Sequence, residues 1–178
     1  MSPIQQLVEA IHEHQLWTKE IELNRNDFLK IQGTVDTNFY FVVDGSLRIF
    51  MIDEFEEHTI RFGYTHNFIA ALDSFIHEKS SNLYIQALRK TRLKVIPKHT
   101  LVALRQSSDH YRQLWEKLLE NLILQQMERE QDILTSSPVV RYHRVLQRSP
   151  QLFQEVPNKY IAAYLRMTPE TLSRIKKS

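Results

Sequence analysis

The stretch YIAAYLRMTPETLSRIKKS, residues 160–178, carries the most informative pattern in this chain. Apolar residues recur at helical spacing in its first half: Ile161, Ala162 and Leu165. Thr168 and Pro169 then form a typical helix start, because a hydroxyl suits the N-cap and proline suits the first turn. The pattern predicts two short helices joined by a tight turn, a helix-turn-helix.

The second of these helices has one apolar and one polar face. Leu172 and Ile175 lie three residues apart and are predicted to face the first helix. The opposite face and the helix start are predicted to bind DNA through Thr168, Pro169, Glu170, Thr171, Ser173, Arg174, Lys176 and Lys177. Arginine can bind guanine bidentately, glutamate can accept from the cytosine amine, and a helix N-terminus can hold a phosphate. The simpler alternative is a capped amphipathic helix whose charges are only solvated.

Charge is distributed unevenly along the chain. The net charge is +2 at pH 7, yet residues 138–178 hold eight Lys and Arg against two Glu, a balance of +6. Residues 1–137 therefore carry a balance of −4. A basic lobe on an acidic body favours a partner that is a polyanion.

The composition predicts a soluble, cytoplasmic protein of two unequal domains. A chain of 178 residues with 42% hydrophobic composition can bury a sizeable core. It has no cysteine, which excludes disulfides, thiolate metal sites and thiol redox sensing. Its longest apolar runs, 39–43 and 68–72, are too short for a membrane span or a signal-peptide core.

Residues 20–96 favour β-structure. The clearest segment is NFYFVVDGSLRIFMID, residues 38–53, where Asp44-Gly45 predicts a tight hairpin turn between strands 39–43 and 46–52. Further strands are predicted at 58–62, 83–88 and 93–96, and a short helical turn within 68–77. Several short strands at this spacing indicate a roll, sandwich or barrel.

Helical periodicity dominates elsewhere. Helices are predicted at 3–16, 101–104, 139–148 and, as the longest, 111–133. The long helix has an apolar stripe, for which a dimer interface is predicted at Leu114, Leu118 and Leu122. A core helix of a monomer is the alternative. Residues 135–138 are predicted to form a hinge, and Ser149-Pro150 a loop.

The order of these parts resembles the Crp/Fnr family of bacterial transcription regulators over essentially the whole chain. The resemblance rests on TPETLSRI (168–175), IAAYL (161–165), Arg141-Tyr142, Val156-Pro157, and Gly33 with YFVVDGSLRIF (40–50). It is strongest to short members from Bacteroidetes-type bacteria. The resemblance implies an α+β fold: a cyclic-nucleotide-binding-like β-roll at 1–108, a dimerisation helix at 109–135, and a helix-turn-helix domain at 136–178 without a full wing.

The sequence departs from the cyclic-nucleotide receptors of this family at the ligand cassette. Their Gly-Glu pair aligns with Ala70-Ala71 and their Arg-Ser pair with Ser81-Asn82, so the cation and the ribose acceptor are both missing. Because a buried phosphate needs compensation, cAMP is not expected to bind, and no cofactor is expected. Haem held by His77 is an alternative, as is an ordinary surface or core role for this histidine.

The helix-turn-helix departs from the family pattern at two positions. Arg166 stands where related motifs often have glycine, which predicts a positive φ at a cost of about 1 kcal/mol. Pro169 replaces an arginine of some relatives and removes one base contact. We also expect no room for a winged hairpin after Ser178, so phosphate contacts should come from the helices, Lys176 and Lys177.

These observations favour a DNA-binding transcription regulator that acts as a homodimer on an inverted repeat. Its expected partners are double-stranded DNA, a second copy of the chain and, as the resemblance implies, RNA polymerase, but no membrane. The alternative is a ligand-binding or protein-interaction module whose C-terminus no longer binds DNA. An enzyme is not expected, because no carboxylate pair, nucleophile series or glycine-rich loop stands out.

Overall fold

The computed structural model describes residues 1–177. Their elements in chain order are α1 (Pro3–Glu13), β1 (Lys19–Leu23), β2 (Phe28–Lys30), β3 (Asn38–Asp44), β4 (Ser46–Asp53), β5 (Glu56–Tyr64), β6 (Phe68–Ile69), α2 (Leu72–His77), β7 (Tyr84–Ala87), β8 (Thr91–Pro97), α3 (Lys98–Ser107), α4 (Asp109–Leu134), α5 (Pro138–Arg148), α6 (Pro150–Glu155), α7 (Asn158–Tyr164) and α8 (Pro169–Ile175). The predicted α+β class is confirmed. None of these helices combines the length and the apolar character needed to cross a bilayer.

Two four-stranded antiparallel sheets form a β-roll. One has the order β1-β8-β3-β6 and the other β2-β7-β4-β5. Apolar residues from both sheets fill the space between them, among them Val42, Leu47, Ile85, Leu93 and Val95, each at most 1% exposed. Burial of these side chains, about 1.5–3 kcal/mol each, is the main stabilisation of the roll.

The predicted hairpin between β3 and β4 is wrong. Strand β3 pairs with β6 and β8, whereas β4 pairs with β5 and β7, so Gly45 carries the chain from one sheet to the other. Gly45 has a positive φ of 105°, but Asp44 does not, so a type I′ hairpin turn is not formed. Both strands are interior strands with long buried runs, and distant partners on either side bury more surface than a local hairpin does.

Helices α1, α2, α3 and α4 contribute to one apolar cluster at the end of the roll. Ser2 caps α1 in a capping box with Gln5, and the apolar face of this helix packs against α4. The predicted long helix is confirmed as α4, which has 26 residues. Its buried residue Leu118 belongs to a cluster shared with α1, β3, β6, α2 and α3, and Leu114 is buried as well. The first half of α4 is therefore part of the core of the roll domain.

The C-terminal part is a bundle of four short helices. Helix α5 begins at Pro138 behind the N-cap Ser137, one residue before the predicted start. The loop predicted at Ser149-Pro150 is instead the start of α6, a helix of six residues that is too short for periodicity to reveal. The bundle has its own core, to which the roll contributes Phe62 and Leu88.

We expect Gly45→Ala to destabilise the fold far more than Gly33→Ala. Both glycines have positive φ, but a Cβ at Gly45 would lie 2.6 Å from the Thr91 Cα and 2.7 Å from the Lys90 carbonyl oxygen, whereas a Cβ at Gly33 meets nothing within 4 Å. Gly33→Ala should cost about 1 kcal/mol and Gly45→Ala about 3 kcal/mol or more. Urea unfolding of both variants tests this, and equal losses of unfolding free energy would contradict it.

Candidate nucleic-acid interface

The predicted helix-turn-helix is formed by α7 and α8, and the turn between them is a Schellman motif. The Met167 N–H donates to the Ala162 carbonyl at 3.0 Å, and the Arg166 N–H donates to the Ala163 carbonyl at 3.1 Å. Arg166 has a φ of 51°, which confirms the predicted left-handed residue at this turn. An arginine therefore occupies the position that usually favours glycine.

Arg141 of α5 holds this turn to the linker that precedes the bundle. Its guanidinium donates to the Leu165 carbonyl at 2.8 Å and the Arg166 carbonyl at 3.1 Å, and also to the Thr135 and Ser136 carbonyls at 2.6 and 2.9 Å. The residue is only 8% exposed. One side chain thus satisfies carbonyl groups at the end of α7 and at the end of α4.

Sequence reasoning missed the role of Arg141, because the charge balance counts it with the solvated basic residues. The position of Arg141 on its helix could have revealed this role. Arg141 lies one helical turn before Val145, on the apolar face of α5, and both residues are buried. A cation on the apolar face of a helix is typical of a buried structural arginine.

Helix α8 is anchored on one face and open on the other. Leu172 is 1% exposed and packs on Ile161 and Leu165 of α7 in the bundle core. The predicted cap is confirmed, because the Thr168 hydroxyl accepts from the Thr171 N–H at 3.2 Å. Of the predicted DNA-binding residues, Thr171 is half-buried. The others are exposed: Thr168, Pro169, Glu170, Ser173, Arg174, Lys176 and Lys177.

The charges of this face are ordered by local contacts. The pKa of Glu170 is lowered by a backbone N–H at the helix start and by the Thr168 hydroxyl, with a smaller effect of Arg174. Arg174 reaches the Thr171 hydroxyl at 3.5 Å, and the Lys176 ammonium donates to the Asn158 side chain at 2.9 Å. The face therefore offers an ionised acceptor beside a guanidinium donor at pH 7.

Only some of the basic residues in the C-terminal part are available to a polyanion. Asp132 is fully buried and forms ion pairs with Arg144 at 3.0 Å and Arg148 at 2.5 Å. Together with Arg141, these arginines stabilise the fold. The remaining basic residues are exposed: Lys159, Arg166, Arg174, Lys176 and Lys177.

The helix-turn-helix packs on β5 of the roll. The Phe62 and Tyr164 rings have centroids 5.2 Å apart. Arg48 of β4, 5% exposed, lies between Phe50 and Tyr160 with its guanidinium carbon 3.9 and 4.6 Å from the two ring centroids. These aromatic and cation–π contacts fix α7 against the roll.

Glu155 at the end of α6 forms a second contact with the roll. Its carboxylate accepts from the Thr65 hydroxyl at 2.7 Å and from the Arg89 guanidinium at 3.0 Å, and its backbone carbonyl accepts from the Ser46 hydroxyl at 2.9 Å. The bundle is thus attached to the roll through both α6 and α7.

The residues predicted for dimerisation lie on the buried face of α4. Leu114 and Leu118 are each 4% exposed and are buried in the core of their own chain, and Leu122 is half-buried against the same cluster. They have little surface left for a partner. Other apolar residues of α4 are exposed: Leu119, Ile123, Leu124, Met127 and Leu134.

The four cassette positions do not form one polar site. Ala70 and Ala71 are buried in the core at the start of α2, Ser81 is 2% exposed, and Asn82 is exposed. The Ser81 hydroxyl accepts from the Leu83 N–H at 3.0 Å. His77 is exposed at the end of α2, and no group of three His, Asp or Glu side chains within residues 1–177 is placed to hold a metal ion.

Comparison with known proteins shows that the fold of this chain is similar to that of several solved structures. No family model and no curated protein matches the sequence. The structure of FixK2 from Bradyrhizobium japonicum superposes with a TM-score of 0.72 at 15% identity over 89% of this chain and 82% of that one. The regulator CLP of Xanthomonas campestris gives 0.69 at 17% identity over 96% and 90%. The Thermus thermophilus catabolite activator protein gives 0.59 at 18% identity over 99% and 85%. These likenesses confirm the predicted fold.

We expect Arg141→Leu to lower the free energy of unfolding by about 3–5 kcal/mol, because it leaves four carbonyl groups without their buried donor. The matched control is Arg144→Gln, which leaves Asp132 paired with Arg148 and should cost about 1 kcal/mol or less. Urea unfolding measures both. Comparable losses would show that the carbonyl contacts of Arg141 contribute no more than a partly exposed ion pair.

Proposed function

We propose that this chain, which has the fold of the Crp/Fnr transcription regulators, is itself a DNA-binding transcription regulator. The observation that carries the proposal is the geometry of α8. Leu172 fixes this helix in the bundle core, while Glu170 and Arg174 lie one turn apart on its exposed face behind a capped N-terminus. A recognition helix needs one face held rigidly and the other free to enter a major groove.

Two kinds of DNA contact follow from this geometry. Arg174 is placed to donate to the O6 and N7 atoms of a guanine, and Glu170 to accept from a cytosine amine. Lys177, two residues after the end of α8, and the exposed Lys159 and Arg166 are the residues proposed to contact phosphates. Base contacts specify a sequence, whereas phosphate contacts position the helix and supply affinity for any DNA.

The chain acts as a homodimer through the exposed face of α4. Leu119, Ile123 and Met127 recur every four residues and are 36%, 61% and 52% exposed, and Leu124, 58% exposed, lies beside them. The opposite face of the helix is buried in the roll domain. A second copy of the same helix is the partner that suits such a continuous apolar stripe.

The dimer places its two recognition helices in successive major grooves. A two-fold axis along α4 gives half-site centres roughly 34–36 Å apart, which predicts an inverted-repeat operator. The functional division of the chain is 1–108 for sensing, 109–135 for dimerisation and 136–178 for DNA. With alanines at the Gly-Glu positions and Ser81 at the arginine position, the effector is not cAMP.

Selection from random double-stranded DNA with the purified full chain, at two salt concentrations, tests the function directly. The expected result is a two-fold symmetric site whose affinity falls with salt. Recovery of no preferred sequence at either salt concentration would refute a sequence-specific regulator, and an absence of binding at both would favour a module that does not act on DNA.

Arg174→Ala and Lys177→Ala are expected to have different effects on DNA binding. Arg174→Ala should cost about 1–3 kcal/mol on the selected site and relax preference at one position of each half-site. Lys177→Ala should weaken all sequences alike and lower the slope of log affinity against log salt by about one unit per monomer contact. Fluorescence anisotropy with the selected site and a scrambled duplex separates the two effects. An equal loss by Arg174→Ala on both duplexes would contradict base reading by α8.

The double variant Ile123→Glu and Met127→Glu should be monomeric, because each change places a charge in the apolar stripe of α4. The matched control is Ile31→Glu with Val35→Glu, two residues of similar exposure on a loop of the roll. Sedimentation at tens of micromolar is the measurement. A wild-type monomer, or equal dissociation of both variants, would refute the interface.

A further inference from the structure

A cavity of about 320 Å³ lies where β5 and β6 of the roll, helix α4 and the C-terminal bundle meet. One part of its wall is apolar and includes Ile60, Phe62, Ile69, Leu118 and Leu122. The other part carries the arginines Arg61, Arg129 and Arg148 together with Tyr164. No Asp or Glu is among the lining residues. The cavity therefore combines an apolar wall with a positively charged one.

Arg129 is the unusual member of this wall. It is 9% exposed, and its guanidinium carbon lies 3.5 Å from the ring centroid of Tyr164. Within residues 1–177 its guanidinium forms no hydrogen bond and no ion pair, although the charge of Asp132 acts on it from a greater distance. Burial lowers the pKa of Arg129.

The other two arginines differ in what neutralises them. Arg148 is ion-paired with Asp132 and Glu128. Arg61 donates to the Gln125 side-chain oxygen at 2.6 Å, which is a neutral acceptor, and burial lowers the pKa of Arg61 as well. Two cations of the cavity wall thus lack a carboxylate partner among the described residues.

A buried cation without an anion is unfavourable. The aromatic ring beside Arg129 and the amide oxygen beside Arg61 each replace only part of the lost hydration of the guanidinium. Ionisable groups perturbed by burial in a cleft are typical of binding and catalytic sites. The guanidinium is a planar donor that suits carboxylate and phosphate groups. The volume of the cavity lies at the lower end of the range for small-molecule sites.

We propose that this cavity binds a small organic anion with an apolar body. Its carboxylate or phosphate contacts Arg129 and Arg61, and its apolar part lies against Ile60, Leu118 and Leu122. The site is centred away from the cassette, since Ala70 is the one cassette position in its wall. The bound anion would touch Tyr164 of α7. An effect of the ligand on DNA rests on the proposed function, whereas binding itself does not.

Calorimetry on the full chain without DNA tests the proposal with three probes: 2-naphthoate, octanoate and phenyl phosphate. The uncharged control ligand is 2-naphthol. At least one anion should bind with a Kd below about 1 mM, and 2-naphthoate should bind at least about tenfold more tightly than 2-naphthol. Binding of no anion in this range, or equal binding of the neutral control, would overturn the proposal. Because no DNA is present, either failure leaves the DNA-reading proposal standing.

Arg129→Gln locates the site and separates a binding role from a structural one. It should weaken the bound anion about tenfold or more, while Arg25→Gln, on an exposed loop, should leave affinity unchanged. The Tm of ligand-free Arg129→Gln should equal or exceed that of the wild type, because an uncompensated buried charge is removed. If the Tm falls, Arg129→Lys decides: it keeps the charge and must retain binding within about tenfold. Unchanged affinity in Arg129→Gln, or lost binding in a folded Arg129→Lys, would overturn the assignment.

Discussion

The four hydrogen bonds from the Arg141 guanidinium to backbone carbonyls are the contact on which the C-terminal half depends. They join the end of α4, through Thr135 and Ser136, to the turn of the helix-turn-helix, through Leu165 and Arg166. Helix ends leave carbonyls without partners, and a buried end must obtain donors from elsewhere. One planar donor with five N–H groups meets that need for two helix ends at once. The left-handed Arg166 is tolerated because the turn around it is fixed in this way.

Three parts of helix α4 have different surroundings. Its first half is buried in the roll through Leu114 and Leu118, its middle exposes the stripe at Ile123 and Met127, and its last turns carry Asp132. The carboxylate of Asp132 is fully buried and is satisfied by two arginines of α5. Loss of either arginine leaves Asp132 a partner, whereas loss of Asp132 leaves Arg144 without a carboxylate and Arg148 with Glu128 alone. The orientation of α5 is thus set by the last turns of α4 rather than by the linker alone.

Local sequence patterns predicted most elements, and the misses follow from what such patterns contain. The cap at Thr168, the left-handed Arg166 and the long helix were predictable, because each depends on neighbouring residues. Strand pairing was not. Asp44-Gly45 is a hairpin signal, and only contacts with β7 and β8 show that the chain crosses between sheets there. The burial of Leu114 and Leu118 was missed for a related reason, since a periodic apolar stripe does not show which part of its own chain will cover it. The buried arginines could not be predicted, because a count of charges does not distinguish buried from solvated arginines.

Tyr164 connects the β-roll and helix α4 to the turn that precedes α8. Its ring packs on Phe62 of β5, and the Arg129 guanidinium of α4 lies against it. Tyr164 is the last residue of α7, and the next two carbonyls are those held by Arg141. A displacement of β5 or of the end of α4 therefore acts on the same residue, one turn before α8 begins. The position of α8 thus depends on contacts that lie outside the helix-turn-helix itself.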